Sequence, residues 1–227
     1  WTIANKLMLN DSKTEIVHLS SRFRTTQPLR PLKIGLSYIE PVPQVRILGT
    51  MADRHLTMSR HVNMVSRNAT YSIRKIGQLR KFLNRGTTEI LVHAFISSKL
   101  DYCNSILHGL PHFELAKLQR VQNTAAKLVV RAKKHDHVKP ILHNLHWLPI
   151  RKRILFKSLL MVYKSLNYMA PVYIRNLLNP YAPTRSLRSS AKGLLTIPQA
   201  SRTSLSSYGD RAFSIAAPKE WNKLPDD

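Results

Sequence analysis

Cationic side chains are the residues of this chain whose types and spacing could do chemistry. That chemistry is the neutralisation of an anion supplied from outside. Arg151, Lys152 and Arg153 crowd the first turn of a predicted helix, and Lys157 and Lys164 continue along it. A helix dipole prefers anions at its start. A basic cluster set against that preference points to an external anion, with phosphate the obvious one; the competing reading is a solvated helix face. Arg60, Arg67, Arg74 and Lys81 recur every seven residues and form one stripe on an earlier predicted helix. At ~1.5 Å of rise per residue they stand ~10.5 Å apart, a reach that suits successive phosphates of a duplex. Tyr163, Tyr168, Tyr173 and Tyr181 interleave with the later cations. They could stack on unpaired bases, the alternative being core tyrosines with a wet hydroxyl.

The charge balance favours the external anion. The chain has 227 residues, 36 Lys and Arg against 12 Asp and Glu, and a net charge of +24. Between Asp136 and Asp210 there is no carboxylate, while eleven Lys and Arg fall there, Arg185 and Arg188 among them. Salt bridges within that stretch cannot neutralise it, so it repels itself unless a polyanion is present. Nucleic acid, RNA or DNA, is the expected partner, ahead of a membrane surface. Hydrophobic content of 43% is ordinary and predicts a folded chain. No apolar run approaches the ~18 residues of a membrane span, and no signal peptide is visible. Trp1 rather than Met opens the sequence, so a piece of something longer is expected.

Other chemistry is weaker. His135, His137, His143 and His146 invite a metal, and His143 and His146 are expected to share a helical face. No nearby Cys completes a set, and helix-end or packing histidines are the preferred reading. Cys103 is the single cysteine, which excludes a disulfide framework, fits a reducing compartment and is expected inside an apolar helix.

The elements that must position these residues follow from periodicity. Lys13–Leu19, Lys33–Leu36 and Val45–Gly49 read as short strands of a small antiparallel sheet, with Asn10-Asp11-Ser12 as a turn. From residue 57 the pattern turns helical, with Val62, Val65, Ala69, Ile73, Ile76, Leu79 and Leu83 on one face. Gly86 is expected to end that helix, and Thr87 or Thr88 to cap the next, which should run to about Leu107. Gly109-Leu110-Pro111 breaks it, and a third helix spans about 112–133. Short helices are predicted at 138–145, 150–167 and 171–178, and extended or loop structure over 180–220. The helix from Ile150 should bury Ile154, Leu155, Leu159, Val162, Tyr163 and Leu166. The fold class is mainly α, with a little antiparallel β at the N-terminus.

Several strings together resemble one family. Asn5-Lys6-Leu7-Met8-Leu9-Asn10-Asp11-Ser12-Lys13-Thr14-Glu15 is similar to an Asn-x-x-Lys-Thr-Glu motif at the end of a reverse transcriptase palm. Ile47-Leu48-Gly49-Thr50-Met51-Ala52-Asp53 resembles the Leu-Gly-x-x-x-Asp segment that leaves that palm. Ser98-Lys99-Leu100-Asp101-Tyr102-Cys103-Asn104-Ser105 and Leu118-Gln119-Arg120-Val121-Gln122-Asn123-Thr124-Ala125-Ala126 look like thumb sequence. Leu145-His146-Trp147-Leu148-Pro149-Ile150-Arg151-Lys152-Arg153-Ile154, Leu187-Arg188-Ser189-Ser190, Tyr208-Gly209-Asp210-Arg211-Ala212-Phe213 and Ala217-Pro218-Lys219-Glu220-Trp221-Asn222-Lys223-Leu224-Pro225 look like a C-terminal extension. Their order is that of non-LTR (LINE-type, Jockey-like) retrotransposon reverse transcriptases, and the resemblance covers nearly the whole chain.

The resemblance implies a palm remnant over 1–53, a thumb-like helical bundle over 54–135 and a basic C-terminal extension over 136–227. The parent activity is RNA-directed DNA polymerisation, a nucleotidyl transfer that uses two divalent metals, magnesium in the intact enzyme, held by carboxylates. Those carboxylates lie upstream of this chain in the family, so no cofactor and no unaided polymerisation are expected here. Lys13 matches the family's motif lysine, implied to act near the leaving pyrophosphate as proton donor or charge partner; an exposed turn lysine is the alternative. An intracellular location, nuclear or cytoplasmic, is implied, and the oligomeric state stays open. A stand-alone, non-enzymatic basic adaptor and a relic of genomic repeat are the other readings.

Overall fold

A computed structural model describes residues 4–8, 10–21, 30–35, 37–183, 193–198 and 209–225. The chain is mainly helical, with two small antiparallel sheets near its N-terminus. It divides into two compact units, Trp1–Met64 and Val65–Asp227.

In the first unit β1 (Leu32–Ile34) pairs with β2 (Ser37–Ile39), and β3 (Gln44–Ile47) with β4 (Thr50–Asp53). The expected single sheet is thus two separate hairpins. Leu48 and Gly49, both at positive φ, make the turn between β3 and β4, the left-handed pair whose twist matches a tight hairpin. The strand expected over Lys13–Leu19 does not form beyond a single bridge from Ile16 to Pro41. Local bonds win there. The Ser12 hydroxyl donates to Asn10 Oδ1 (2.7 Å) and the Thr14 hydroxyl to the Asn10 carbonyl (2.9 Å), closing a 3₁₀ turn over Asp11–Lys13. After β4, Asp53 turns the chain into the first helix: its carboxylate accepts from the backbone N–H of Thr57 (3.1 Å) and Met58 (2.9 Å) and from the Thr57 hydroxyl (2.9 Å).

α1 (Ser59–Leu79) crosses from the first unit into the second. It buries Val62, Ala69, Ile73 and Ile76 as predicted, but Leu79 is exposed. It ends at Leu79 rather than at Gly86, which lies inside α2 (Arg85–Val92). Asn84 caps α2 through Oδ1, which accepts from the Thr87 N–H at 2.8 Å, so neither threonine is the cap. The run continues through a π-helical turn (His93–Ser97) into α3 (Ser98–Asp101) and stops, six residues short of the expected end. Cys103 then takes φ +50° and a 3₁₀ turn carries Asn104–Leu107. Cys103 is therefore half-buried in a connection and not inside a helix.

α4 (His112–Val130) follows the Gly109-Leu110-Pro111 break and buries Leu118, Val121, Ala125, Ala126 and Val129. α5 (Val138–Asn144) and α6 (Ile150–Leu166) match the predicted short helices, while α7 (Val172–Arg175) is a single turn, half the predicted 171–178. α5 ends in a Schellman cap with His146 at φ +54° in the position glycine usually fills; the Trp147 N–H reaches the Leu142 carbonyl at 2.8 Å. His146 has thus left the helical face of His143, and among the described residues no His, Cys, Asp or Glu group could hold a metal.

The loop expected over 180–220 contains α8 (Phe213–Trp221). Ala217 packs with Val162 of α6, Leu178 and Leu195 into a small core flanked by Leu166, Phe213 and Trp221. The Asn222 side chain holds Leu195 as a backbone partner would, accepting its N–H at 2.9 Å and donating to its carbonyl at 2.8 Å. No described helix is long and apolar enough to cross a membrane.

Candidate nucleic-acid interface

α6 is built to hold a basic first turn without an acidic cap. Pro149 is its N-cap and Ile150 its first residue, one position later than a proline-first helix would have it. No side chain of the cap covers the free N–H groups. The Ile150 N–H is instead satisfied from another helix, by Gln119 Oε1 of α4 at 2.9 Å. Gln122, only 2% exposed, donates from Nε2 to the Leu148 carbonyl at 2.8 Å, and Gln119 Nε2 donates to Gln122 Oε1 at 2.9 Å. This partly buried amide network fixes the start of α6 against α4.

Arg153 belongs to the same scaffold. Its Nε donates to the Leu148 carbonyl at 2.9 Å, and its Nη1 pairs with the Asp101 carboxylate at the end of α3. Its charge is already matched, so of the first-turn cluster Arg151 and Lys152 are the exposed pair without an ion pair among the described residues. Lys157 and Lys164 are exposed one heptad apart. Lys152, Phe156 and Tyr163 fall at i, i+4 and i+11, a second exposed stripe beside the lysines. Tyr163 therefore leaves the apolar face predicted for it. Tyr168, Tyr173 and Tyr181 are exposed too, Tyr168 at 78% and Tyr173 at 71%, so none of the four is a core tyrosine. Arg175 lies 4.8 Å from the centre of the Tyr168 ring.

The other candidates are distributed as follows. Arg67 and Arg74 are exposed on α1 in the second unit; Arg60, also exposed, belongs to the first. Lys81 lies past the helix end, its Nζ 4.7 Å from the Phe82 ring centre. Lys13 is exposed at the end of its 3₁₀ turn, away from any cluster of charge-bearing partners within hydrogen-bond reach among the described residues. Arg185 and Arg188 lie outside the described residues.

Arg80 is a basic residue with a role the periodicity did not single out. Its guanidinium donates to the carbonyls of Leu128 and Val129, both at 2.8 Å, and to that of Leu83 at 2.8 Å. It thereby caps the C-terminus of α4, where cations and donors are favoured. Only its position one residue before the stripe member Lys81 distinguishes it in the sequence. Gln122 could have been noticed, because a polar residue interrupts the apolar series Leu118, Val121, Ala125.

Two histidines have environments that oppose protonation. His61 is buried, which pushes its pKa below the ordinary 6.5, and its Nδ1 accepts the Met51 N–H at 3.5 Å. Burial also lowers His108, helped by Lys223, Arg151 and Arg211 and opposed by Glu220. Compared with protein-family models, with curated proteins and with solved structures, the chain matches none.

Proposed function

We propose that this chain is the C-terminal part of a LINE-type reverse transcriptase and that it binds template–primer or element RNA by phosphate contacts. In this reading residues 1–53 are the palm end, the helices from α1 to α4 are the thumb, and α6 with its surroundings is the basic extension. The carrying observation is the exposed face of α6, where Lys152, Lys157 and Lys164 stand beside Phe156 and Tyr163, with the exposed Arg151 at the first turn and no acidic residue in the helix. Cations that track a backbone and rings that accept bases are the two components of sequence-tolerant nucleic-acid binding. Two of the strings that carry the family resemblance, in α4 and at the start of α6, are joined by the Gln119–Gln122 network, which supports reading them as one inherited unit.

The function assigned is binding. No Tyr-x-Asp-Asp string stands in the sequence, so polymerisation would depend on carboxylates carried elsewhere. The test is fluorescence anisotropy of a labelled RNA hairpin with the purified chain across a salt series. Affinity should fall by ~0.7–0.9 log units per log unit of salt for each phosphate neutralised. Absence of binding at about 50 mM salt, or affinity indifferent to salt, overturns the reading.

A further inference from the structure

We propose that a groove between α1 and α4 is a second phosphate site, separate from the α6 face, that takes one phosphodiester of the nucleic-acid backbone. The inference rests on the nucleic-acid reading above and assigns it a place on the other side of α4.

The groove has a volume of about 390 Å³. α1 supplies Ser66, Thr70 and Ile73, at i, i+4 and i+7, and α4 supplies Lys117, Arg120, Val121 and Thr124, at i, i+3, i+4 and i+7. Each set is a single helix face. Ile73 and Val121 are buried and make an apolar floor; Arg120 and Thr124 are exposed at the rim.

The hydrogen-bond inventory separates donors already used from donors still available. Ser72, Thr88, Ser98, Thr124, Ser158 and Ser165 each donate to the carbonyl four residues back. That is the usual resting arrangement of a helical hydroxyl. Ser66 and Thr70 do not; among the described residues neither hydroxyl has a hydrogen-bond partner. Lys117 is paired with the buried Glu114 at 2.9 Å, and no carboxylate stands among the described residues lining the groove. The Arg120 guanidinium has no ion pair or hydrogen bond among the described residues. Two hydroxyls and a guanidinium without partners among the described residues line one groove, and together they complement a phosphodiester's two non-bridging oxygens, since a guanidinium fork meets phosphate bidentately. Arg67 and Arg74 flank Thr70 at i−3 and i+4 and are both exposed. They add exposed positive charge along α1 on either side of Thr70.

RNA and DNA share this phosphodiester, so both are tested. The full chain, Arg120→Gln and Thr70→Val are compared by anisotropy with a labelled RNA duplex and a DNA duplex of the same sequence over a salt series. Arg120→Gln should lower the slope of log affinity against log salt by ~0.7–0.9, the contribution of about one phosphate. Thr70→Val should weaken binding roughly fivefold, as loss of one hydrogen bond would, with the slope unchanged. Thermal melts should be unaltered, since Arg120 is exposed and Thr70 makes no internal bond. An effect on one duplex and not the other names the source of the phosphate. If the full chain binds and both variants match it on both duplexes, the groove proposal fails while the α6 reading stands. If the full chain binds neither duplex, both fall.

Discussion

The Gln122 amide donates to the Leu148 carbonyl at 2.8 Å and so ties the middle of α4 to the residue before the Pro149 cap of α6. Gln122 is buried while Leu148 is exposed, and the same carbonyl also accepts from Arg153. It places the basic first turn of α6 at a set position relative to α4, the helix that also lines the groove.

Gln122→Leu should therefore destabilise the chain by about 1–3 kcal/mol, because Gln119 Nε2 and the Leu148 carbonyl each lose a hydrogen bond in a partly buried network. Urea unfolding followed by circular dichroism reads this directly. A change below about 0.5 kcal/mol, the size of an ordinary surface effect, would remove the network from the account.

Lys152 and Arg153 are neighbours with opposite roles. Lys152→Gln should leave the unfolding midpoint unchanged and lower the salt slope of RNA binding. Arg153→Gln breaks the partly buried pair with Asp101 and should cost about 1–3 kcal/mol of stability, with little effect on the slope. Equal effects of the two substitutions on the slope would show that Arg153 is not committed to Asp101.

Arg80→Lys should not rescue Arg80→Ala. The guanidinium reaches three carbonyls at once, two of them at the end of α4, and an ammonium cannot reproduce that fork. Each substitution is expected to cost about 1–3 kcal/mol in denaturant unfolding. A lysine variant as stable as the parent would refute the fork.

Gly109 has φ +72°, and a Cβ there would stand 2.7 Å from Arg211 Cγ, the side chain whose Nε donates to the His108 carbonyl at 3.2 Å. Gly109→Ala meets both left-handed strain, about 1–2 kcal/mol, and that close contact. The melting temperature should fall accordingly; an unchanged melt would mean the turn can adopt another backbone conformation.

Stability should fall on mild acidification. His61 and His108 are both held below the ordinary 6.5, in each case chiefly by burial, so the folded chain binds fewer protons than the unfolded chain near and below that pH. Stability then rises with pH through this window. It is complete above about 6.5, declines as pH drops below the unfolded value, and levels off once the folded imidazoles take the proton. His108→Gln should flatten the profile measured by denaturant unfolding between about pH 7 and 5. A parent profile that is flat there would contradict the assignment.

Features confined to one helix could be read without the structure. The apolar faces of α1 and α4, the Gly109-Leu110-Pro111 break, and the helices beginning after Pro149 and Pro171 depend on 3.6-residue spacing and on proline and glycine backbones. The excess of positive charge and its gap in carboxylates are equally local facts of composition. The faces that a helix leaves uncovered are not. Tyr163 has the spacing of a core residue and is exposed because the cluster of Val162, Leu178, Leu195 and Ala217 lies to its other side. α8 was hidden by Pro218 and the serine-rich stretch before it, and is held by packing on α6 and by Asn222 on Leu195. Cation-bearing residues of the same type part company for the same reason. Arg80 and Arg153 meet carbonyls and a carboxylate from distant segments, while Arg120 and Lys152 meet none among the described residues. Sequence determined how much positive charge there is and on which helices it rides; tertiary packing decided which of those charges are spent inside the fold, because a guanidinium is matched by whatever partner the distant chain brings within hydrogen-bond reach.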